Sequence, residues 1–366
     1  MEQRKKNQVR MIVAGGGTGG HLFPGVAVAR ELVSRFEQAQ ILFVTGRRRI
    51  ESEILERSGF MQTSISIEGI KGRGWKKGAG VIVKLPLSLF QSLGIIRRYR
   101  PDLVLGLGGY SAGPLCLAAK IMGIPTALQE QNSFPGLTNR LLCRVVDRVF
   151  ISFEESREHF RGGTLVLTGN PVREELLRDR PKKESGRAFT VLVTGGSQGA
   201  RAVNQAFLAS LEILKKRGKA LKVIHQTGEI DYPLVAEAYR REGLGGDVRP
   251  FIEDMAKAYG EADMVVGRAG ATTISELAAL GKPAILIPYP YAANRHQETN
   301  ARMLVEAGGA EMLLEEDLTG EALADLLSKY MADRSALEVM GRRSRVKGRP
   351  EAARVIVDHI MEMIDS

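Results

Sequence analysis

The stretch Val13 to Pro24, VAGGGTGGHLFP, limits what this chain can fold into. An apolar run, Met11 to Ala14, leads into six residues of which five are glycine, and a helical pattern follows from about Pro24. A glycine run at the end of a strand lets the backbone approach a ligand closely and leaves its N–H groups unobstructed. The next helix aims its positive end at the same point, which suits an anion such as phosphate. The spacing Gly15, Gly17, Gly20 also meets the dinucleotide fingerprint, a weak match in a chain with 41 glycines. A tight strand-to-helix turn with no ligand explains the same residues.

The layout recurs. Phe189 to Thr194 (FTVLVT) reads as a strand, GGSQGAR at Gly195 to Arg201 as a glycine turn, and a helix follows from about Ala202. Between the two turns, Ile41 to Thr45, Leu103 to Leu107, Thr126 to Gln129 and Arg148 to Ile151 read as buried strands. Helical patterns near 24–36, 50–58, 81–99, 113–122 and 136–145 separate them. The alternation continues through Leu221 to Gln226, Asp247 to Pro250, Met264 to Val266 and Ala284 to Ile287. Such alternation predicts an α/β protein of two Rossmann-like, doubly wound parallel-sheet domains, whose ligand edges face across a cleft. The expected domains are 1–165 and 166–348, with 349–366 a terminal helix that packs back on the first.

Of the 366 residues 44% are apolar and 26% charged, as in a soluble globular protein. Cys116 and Cys143 lie in apolar segments, which argues against a disulfide framework or a Cys-type zinc site and for a reducing compartment. The basic opening MEQRKKNQVR precedes only a short MIVA run, so it does not read as a signal peptide. No uninterrupted apolar run is long enough to span a membrane. The net charge of +10 is segregated: residues 1–168 hold 24 Lys and Arg against 13 Asp and Glu, and the remainder 28 against 29. The first half therefore expects an acidic partner: nucleic acid, anionic lipid or a phosphorylated substrate.

A dinucleotide site needs an acidic residue after the second strand, and here that strand ends Thr45-Gly46-Arg47-Arg48-Arg49. The second glycine turn is the better phosphate site, with Ser197, Gln198 and Arg201 as added donors, though it lacks the GxxxxGK[ST] of a nucleoside-triphosphatase. In Gly267 to Pro290, Thr273 and Glu276 have capping-box spacing. A carboxylate gripping two vicinal sugar hydroxyls explains Glu276 equally well. Asn294 to Glu298 is a polar cluster suited to sugar hydroxyls, and Gly106 to Pro114 is a third glycine-rich turn. Gln129 to Asn132 is a polar run directly after a strand, at the ligand edge or in a plain loop. No His, Cys or Asp spacing marks a metal site, and no cofactor is expected. Residues 70–100 carry a separate signal. Trp75 lies among Lys71, Arg73, Lys76 and Lys77; an apolar segment with Ile82, Leu85, Leu89 and Phe90 follows; Arg97 and Arg98 close it. This pattern suits an anionic membrane surface; a core helix flanked by solvated charge is the alternative, and the charge surplus of this half favours the membrane.

Taken in order, GGGTGGHLFP, GLGGYSAGP, the EQN run ending at Asn132, GNPVR at Gly169 to Arg173, GGSQGAR, FIEDM at Phe251 to Met255 and GATTISELAALGKPAILIP closely resemble the MurG family over nearly the whole chain. These are the UDP-N-acetylglucosamine:lipid I N-acetylglucosaminyltransferases of bacterial peptidoglycan synthesis. The resemblance implies the GT-B architecture, a donor held mainly by the second domain, and a peripheral enzyme on the cytoplasmic face of the cell membrane. It implies that Ile252 meets the uracil through its backbone, Arg173 lies near the nucleotide, and Ser197 contacts the diphosphate. Ala271, Thr272, Thr273, Ile274 and Ser275 would line the donor site, Glu276 would take the ribose hydroxyls, and Gln297 the donor sugar. Thr18, Gly19, Gly20 and Asn132 would reach the donor from the first domain. The basic, apolar patch of that domain would bring in the lipid-linked acceptor; other cell-wall synthesis proteins are expected partners and nucleic acid is not. His21 is the candidate base for the attacking hydroxyl, placed where a helix N-terminus disfavours an imidazolium. The rivals are a UDP-N-acetylglucosamine epimerase, a transferase for another lipid such as diacylglycerol, and a basic binding module.

Overall fold

A computed structural model describes residues 8–16, 19–46, 49–66, 75–178 and 188–366; of 75–85 it describes the backbone alone. The chain divides into two compact units. One holds the described residues up to Arg173 together with Pro350–Ser366, the other those of Glu174–Arg349.

The first unit runs β1 (Arg10–Gly15), α1 (Gly19–Arg35), β2 (Gln40–Thr45), α2 (Arg49–Ser58), β3 (Met61–Ser64), α3 (Trp75–Tyr99), β4 (Leu103–Gly108), α4 (Gly109–Ile121), β5 (Thr126–Glu130), α5 (Leu137–Leu142), β6 (Arg148–Ile151) and β7 (Leu165–Leu167). Its described strands form one parallel sheet in the order β3-β2-β1-β4-β5-β6-β7. The apolar run in β1 serves both faces by strand alternation: Met11 and Val13 join one core cluster, Ile12 and Ala14 the other. Strand β3 (MQTS) carries no apolar run and β7 (LVL) is only three residues long, so both escape sequence reading. Because β7 pairs with β6, the first unit continues to Arg173 rather than ending at 165.

The second unit repeats the plan with α6 (Glu174–Leu177), β8 (Thr190–Thr194), α7 (Arg201–Lys216), β9 (Lys222–Gln226), α8 (Tyr232–Arg241), β10 (Asp247–Arg249), α9 (Met255–Glu261), β11 (Met264–Gly267), α10 (Ala271–Leu280), β12 (Ala284–Leu286), α11 (His296–Glu306), β13 (Glu311–Met312), α12 (Gly320–Ala332) and α13 (Arg334–Val346). Its sheet is also parallel, in the order β10-β9-β8-β11-β12-β13. Each sheet reverses its winding once, between β1 and β4 and between β8 and β11. Crevices at such switch points, beyond the strands' carboxyl ends, are where open parallel sheets bind ligands.

The chain then returns to the first unit. Helix α14 (Ala352–Asp365) lays Ile356, Val357, Ile360 and Met363 into the core cluster that holds Leu22, Val26 and Leu32 of α1. Arg35 to Asp358 at 2.6 Å and Arg148 to Glu362 at 2.9 Å tie its outer edges. Helix α1 starts before Pro24, not at it. Proline in the second turn removes one backbone donor, and the buried face of Leu22, Val26, Ala29 and Leu32 outweighs that loss. His21 consequently sits in the first turn of a helix rather than in the loop ahead of one.

Candidate active site

At the first switch point the β1–α1 and β4–α4 turns lie backbone against backbone. Gly109 has φ 76°, and a Cβ there would stand 2.7 Å from the carbonyl oxygen of Gly16, so only glycine fits. Half-buried His21 points Nδ1 at Gln131 Oε1, 2.5 Å away. Gln131 follows β5 and is itself buried. Its amide nitrogen donates to the carbonyls of Leu107 and Gln129, both at 3.0 Å, and lies against Gln129 Oε1. The Gln129 amide in turn donates to Ser152 Oγ at 3.2 Å and Asn170 Oδ1 at 3.0 Å. Next to it, the buried Glu130 carboxylate accepts from the amides of Asn132 (2.9 Å) and Gly136 (3.2 Å) and from Asn139 Nδ2 (2.8 Å). The polar run after β5 is thus a built network, not a plain loop, and it fixes the position of Asn132. Gly20 is exposed beside His21, Gly19 begins the helix, and Thr18 lies outside the described residues. The Arg173 guanidinium lies over the Phe23 ring at 4.8 Å. Glu51, absent from the sequence reading, is buried against the glycine turn, where a Cβ on Gly16 would come within 2.7 Å of its carboxylate. Nothing in its amphipathic helix marks it in advance.

At the second switch point two turns again interlock. Cβ atoms on Gly199 (φ 75°) and Gly228 (φ 81°) would meet the carbonyl oxygens of Thr227 and Gln198 at 2.0 and 2.4 Å. Ser197 occupies the tip of the first turn. Buried Gln226 braces it from below, donating to Gly196 O at 2.9 Å and Thr194 Oγ1 at 3.2 Å, and accepting from the Ile252 N–H at 2.8 Å. The Ile252 amide is therefore engaged, and its carbonyl is the group left for a base. Arg201, expected as a phosphate donor, instead grips Asp231 at 2.9 and 3.0 Å. Asn204 links Thr227 O and Asp231 to His225 Nε2 at 3.1 Å, and the Tyr239 hydroxyl lies 3.2 Å from His225 Nδ1. Burial holds the His225 imidazolium down, with a pKa of about 3, and pushes the Tyr239 hydroxyl up.

Gly270, not Thr273, is the N-cap of α10, so the capping box suggested by Thr273 and Glu276 does not form. Thr273 falls in the first helical turn with Ala271 and Thr272, whose amides have no acceptor within the helix. Glu276 is buried further along and accepts from Tyr259 Oη at 3.0 Å. Ile274 sinks its side chain into the interior, whereas Ser275 stays partly open. Gln297, in the first turn of α11, accepts from the Tyr289 amide at 3.0 Å. Its own amide nitrogen meets no protein group among the described residues. Ahead of α11, Asn294 and Arg295 hold φ of 52° and 50°, two consecutive left-handed residues without glycine. Such backbone strain concentrates at functional segments. Among the described residues no cluster of His, Cys, Asp and Glu is placed to hold a metal ion.

On the outside of the first unit, Phe90 is 72% and Leu87 52% exposed on α3, with Arg97 and Arg98 also in solvent. Leu89 does not share this face. It packs inward with Leu93, which lies four residues on and so on the same side of the helix. Helix α4 packs on α3 and α5 on α4; these helices expose Ile121, Leu137 and Leu141 at 61–63%. The side chains of Trp75, Lys76, Lys77, Ile82 and Leu85 lie outside the described residues, although their backbone belongs to α3. No helix among the described residues is long and apolar enough to cross a membrane.

Comparison with known proteins places these features in a family. The glycosyltransferase family 28 N-terminal domain matches residues 11–151, and the family 28 C-terminal domain matches residues 190–356. The UDP-N-acetylglucosamine--N-acetylmuramyl-(pentapeptide) pyrophosphoryl-undecaprenol N-acetylglucosamine transferase of Syntrophus aciditrophicus is 49% identical over 97% of this chain and 99% of its own. The protein of that name from Trichlorobacter lovleyi is 43% identical over 97% and 98%. The crystal structure of Acinetobacter baumannii MurG superposes with a TM-score of 0.76 at 30% identity, covering 97% of this chain and 99% of that one. The chain belongs to glycosyltransferase family 28 and, within it, to the MurG family.

Proposed function

We propose that this protein transfers N-acetylglucosamine from UDP-N-acetylglucosamine to the 4-hydroxyl of the N-acetylmuramyl unit of lipid I, forming lipid II and UDP with inversion at the anomeric carbon. The observation that carries the reading is the match to transferases of that name over 97% of this chain and 98–99% of theirs.

The second unit takes the donor. The Ile252 carbonyl accepts from the uracil imide, Glu276 accepts from the ribose hydroxyls, and Ser197 with the amides of its turn meets the diphosphate. The first-turn amides of α10 from Ala271 to Thr273, with Ser275 and the backbone at Ile274, line the same site. Gln297 offers its open amide nitrogen to the sugar. Arg173 lies near the nucleotide, and Thr18, Gly19, Gly20 and Asn132 are the first unit's contribution to donor binding. Turn amides and helix N-termini suit a pyrophosphate because their partial positive charge is fixed in place and needs no reorganisation. His21 takes the proton of the acceptor hydroxyl as it attacks, and UDP leaves from the opposite face. Exposed apolar side chains on α3, α4 and α5, with Arg97 and Arg98 beside them, fit an anionic membrane surface from which a lipid-linked acceptor is drawn. The enzyme then works as a peripheral protein on the cytoplasmic face of the membrane, alongside other cell-wall synthesis proteins.

The test is label transfer. Radiolabelled UDP-N-acetylglucosamine with lipid I should give a labelled lipid-pyrophosphoryl disaccharide, and donor alone should give no product. Epimerised donor without lipid, or label on diacylglycerol in place of lipid I, would overturn the assignment.

A further inference from the structure

We infer that Gln131 is a positioning residue that selects the tautomer of His21, an inference that rests on the reading of His21 as the base. A neutral imidazole can take a proton at only one nitrogen, so the hydrogen bond at its other nitrogen decides whether it faces the acceptor as a base or as a donor.

The orientation of the Gln131 amide is set from behind. One end of it faces three oxygens: the Leu107 and Gln129 carbonyls at 3.0 Å each, and Gln129 Oε1. Only the NH2 end can meet them; a flipped amide would set its own oxygen against all three. Gln129 cannot turn away to relieve such a clash, because its nitrogen is engaged by Ser152 Oγ and Asn170 Oδ1. Gln131 Oε1 therefore faces His21, 2.5 Å from Nδ1, as an acceptor. The proton of the neutral ring resides on Nδ1, and the lone pair resides on Nε2, which has no protein partner among the described residues. Gln131 is fully desolvated at 1% exposure, so no water competes for its oxygen.

A neutral amide does this differently from a carboxylate. It fixes the tautomer without adding a charge beside the ring. Two exchanges separate orientation from packing. Gln131→Met fills the space but offers no acceptor, leaving Nδ1 free to lose its proton to Nε2. Gln131→Met made in a His21→Ala background removes the same acceptor where there is no ring to orient. Transfer of label from UDP-N-acetylglucosamine to lipid I is measured against pH for the full-length protein, with thermal unfolding as the check on folding. Gln131→Met should lower kcat roughly tenfold or more with the donor KM within about twofold. In the His21→Ala background the same exchange should change the residual kcat by less than about twofold, because no ring remains to be oriented. His21→Ala, run in parallel, should lower kcat roughly 100-fold or more. A near-normal rate for folded His21→Ala would remove the base assignment itself. Loss of rate in His21→Ala with an unchanged rate in Gln131→Met, or an undiminished cost of Gln131→Met in the His21→Ala background, would overturn the role given to Gln131.

Discussion

Acidification should loosen the second unit through one residue, His225. Its ring is fully buried beside Phe207, with a hydrogen bond at each nitrogen to Asn204 and Tyr239. Burial leaves the folded state unable to charge it until about pH 3, against an ordinary value of 6.5 in the unfolded chain. A depressed folded value means that the stabilisation is complete above pH 6.5 and is lost as pH falls below it, because only the unfolded chain takes the proton. Each pH unit below 6.5 then removes about 1.4 kcal/mol, so the fall from pH 7.5 to 5.0 costs about 2 kcal/mol. Other groups titrate in the same range, so the measurement is a difference. Urea unfolding of the wild type and of His225→Gln, read from amide exchange in β8 and β9, gives the stability of this unit at both pH values. Gln can meet Asn204 and Tyr239 but does not titrate. The wild type should lose about 2 kcal/mol more than the variant. Equal losses would refute the argument. Because Asn204 also holds the Thr227 carbonyl, against which the Ser197 turn packs, the donor KM should rise over the same interval.

Three further outcomes follow from the geometry. Glu276→Gln should raise the donor KM roughly tenfold with little change in kcat, and Tyr259→Phe should raise it less; a KM within twofold for Glu276→Gln would detach that carboxylate from the ribose. Reversing Arg97 and Arg98 should weaken binding to anionic vesicles in sedimentation assays by about 1 kcal/mol per residue, and Leu87→Ser with Phe90→Ser should weaken it further. Leu89→Ser should instead lower the unfolding temperature and leave vesicle binding of the folded fraction unchanged. Gly25→Ala gains about 1 kcal/mol of helix propensity, but its Cβ would stand 2.4 Å from Leu107 Cδ1 and 3.2 Å from Val13 Cγ1. Overpacking costs about 1–3 kcal/mol, so calorimetry should find the variant destabilised.

The strands whose residues are buried on both faces were legible because such strands are continuous apolar runs, as in β1 and β8. Edge strands such as β3 and β13 were not, since half-exposed residues leave no run to read. The glycine turns were visible as composition, but the reason for particular glycines was not. Gly109 and Gly199 are required by backbone segments distant in sequence, which no local spacing records. Glu276 shows the limit on side chains: its spacing from Thr273 fits a cap and a buried ligand group equally, and only the helix start at Gly270 removes the cap. Arg201 and Leu89 misled for a related reason. Residue type and position were right for a phosphate and for a membrane, but Asp231 and the first unit's core already engage them.

Helix α14 gives the chain an unusual order of assembly. The first unit is made of two stretches of sequence, and the whole of Glu174–Arg349 lies between them. The second unit is continuous and can condense as soon as its own residues have left the ribosome. The first can form its sheet early, but the side of α1 that faces Ile356, Val357 and Ile360 stays uncovered until residues 352–365 emerge. During synthesis that apolar stripe has no native partner for as long as it takes to make the entire second unit. The basic half of the protein is thus the last part to be completed, and the final helix acts as its latch.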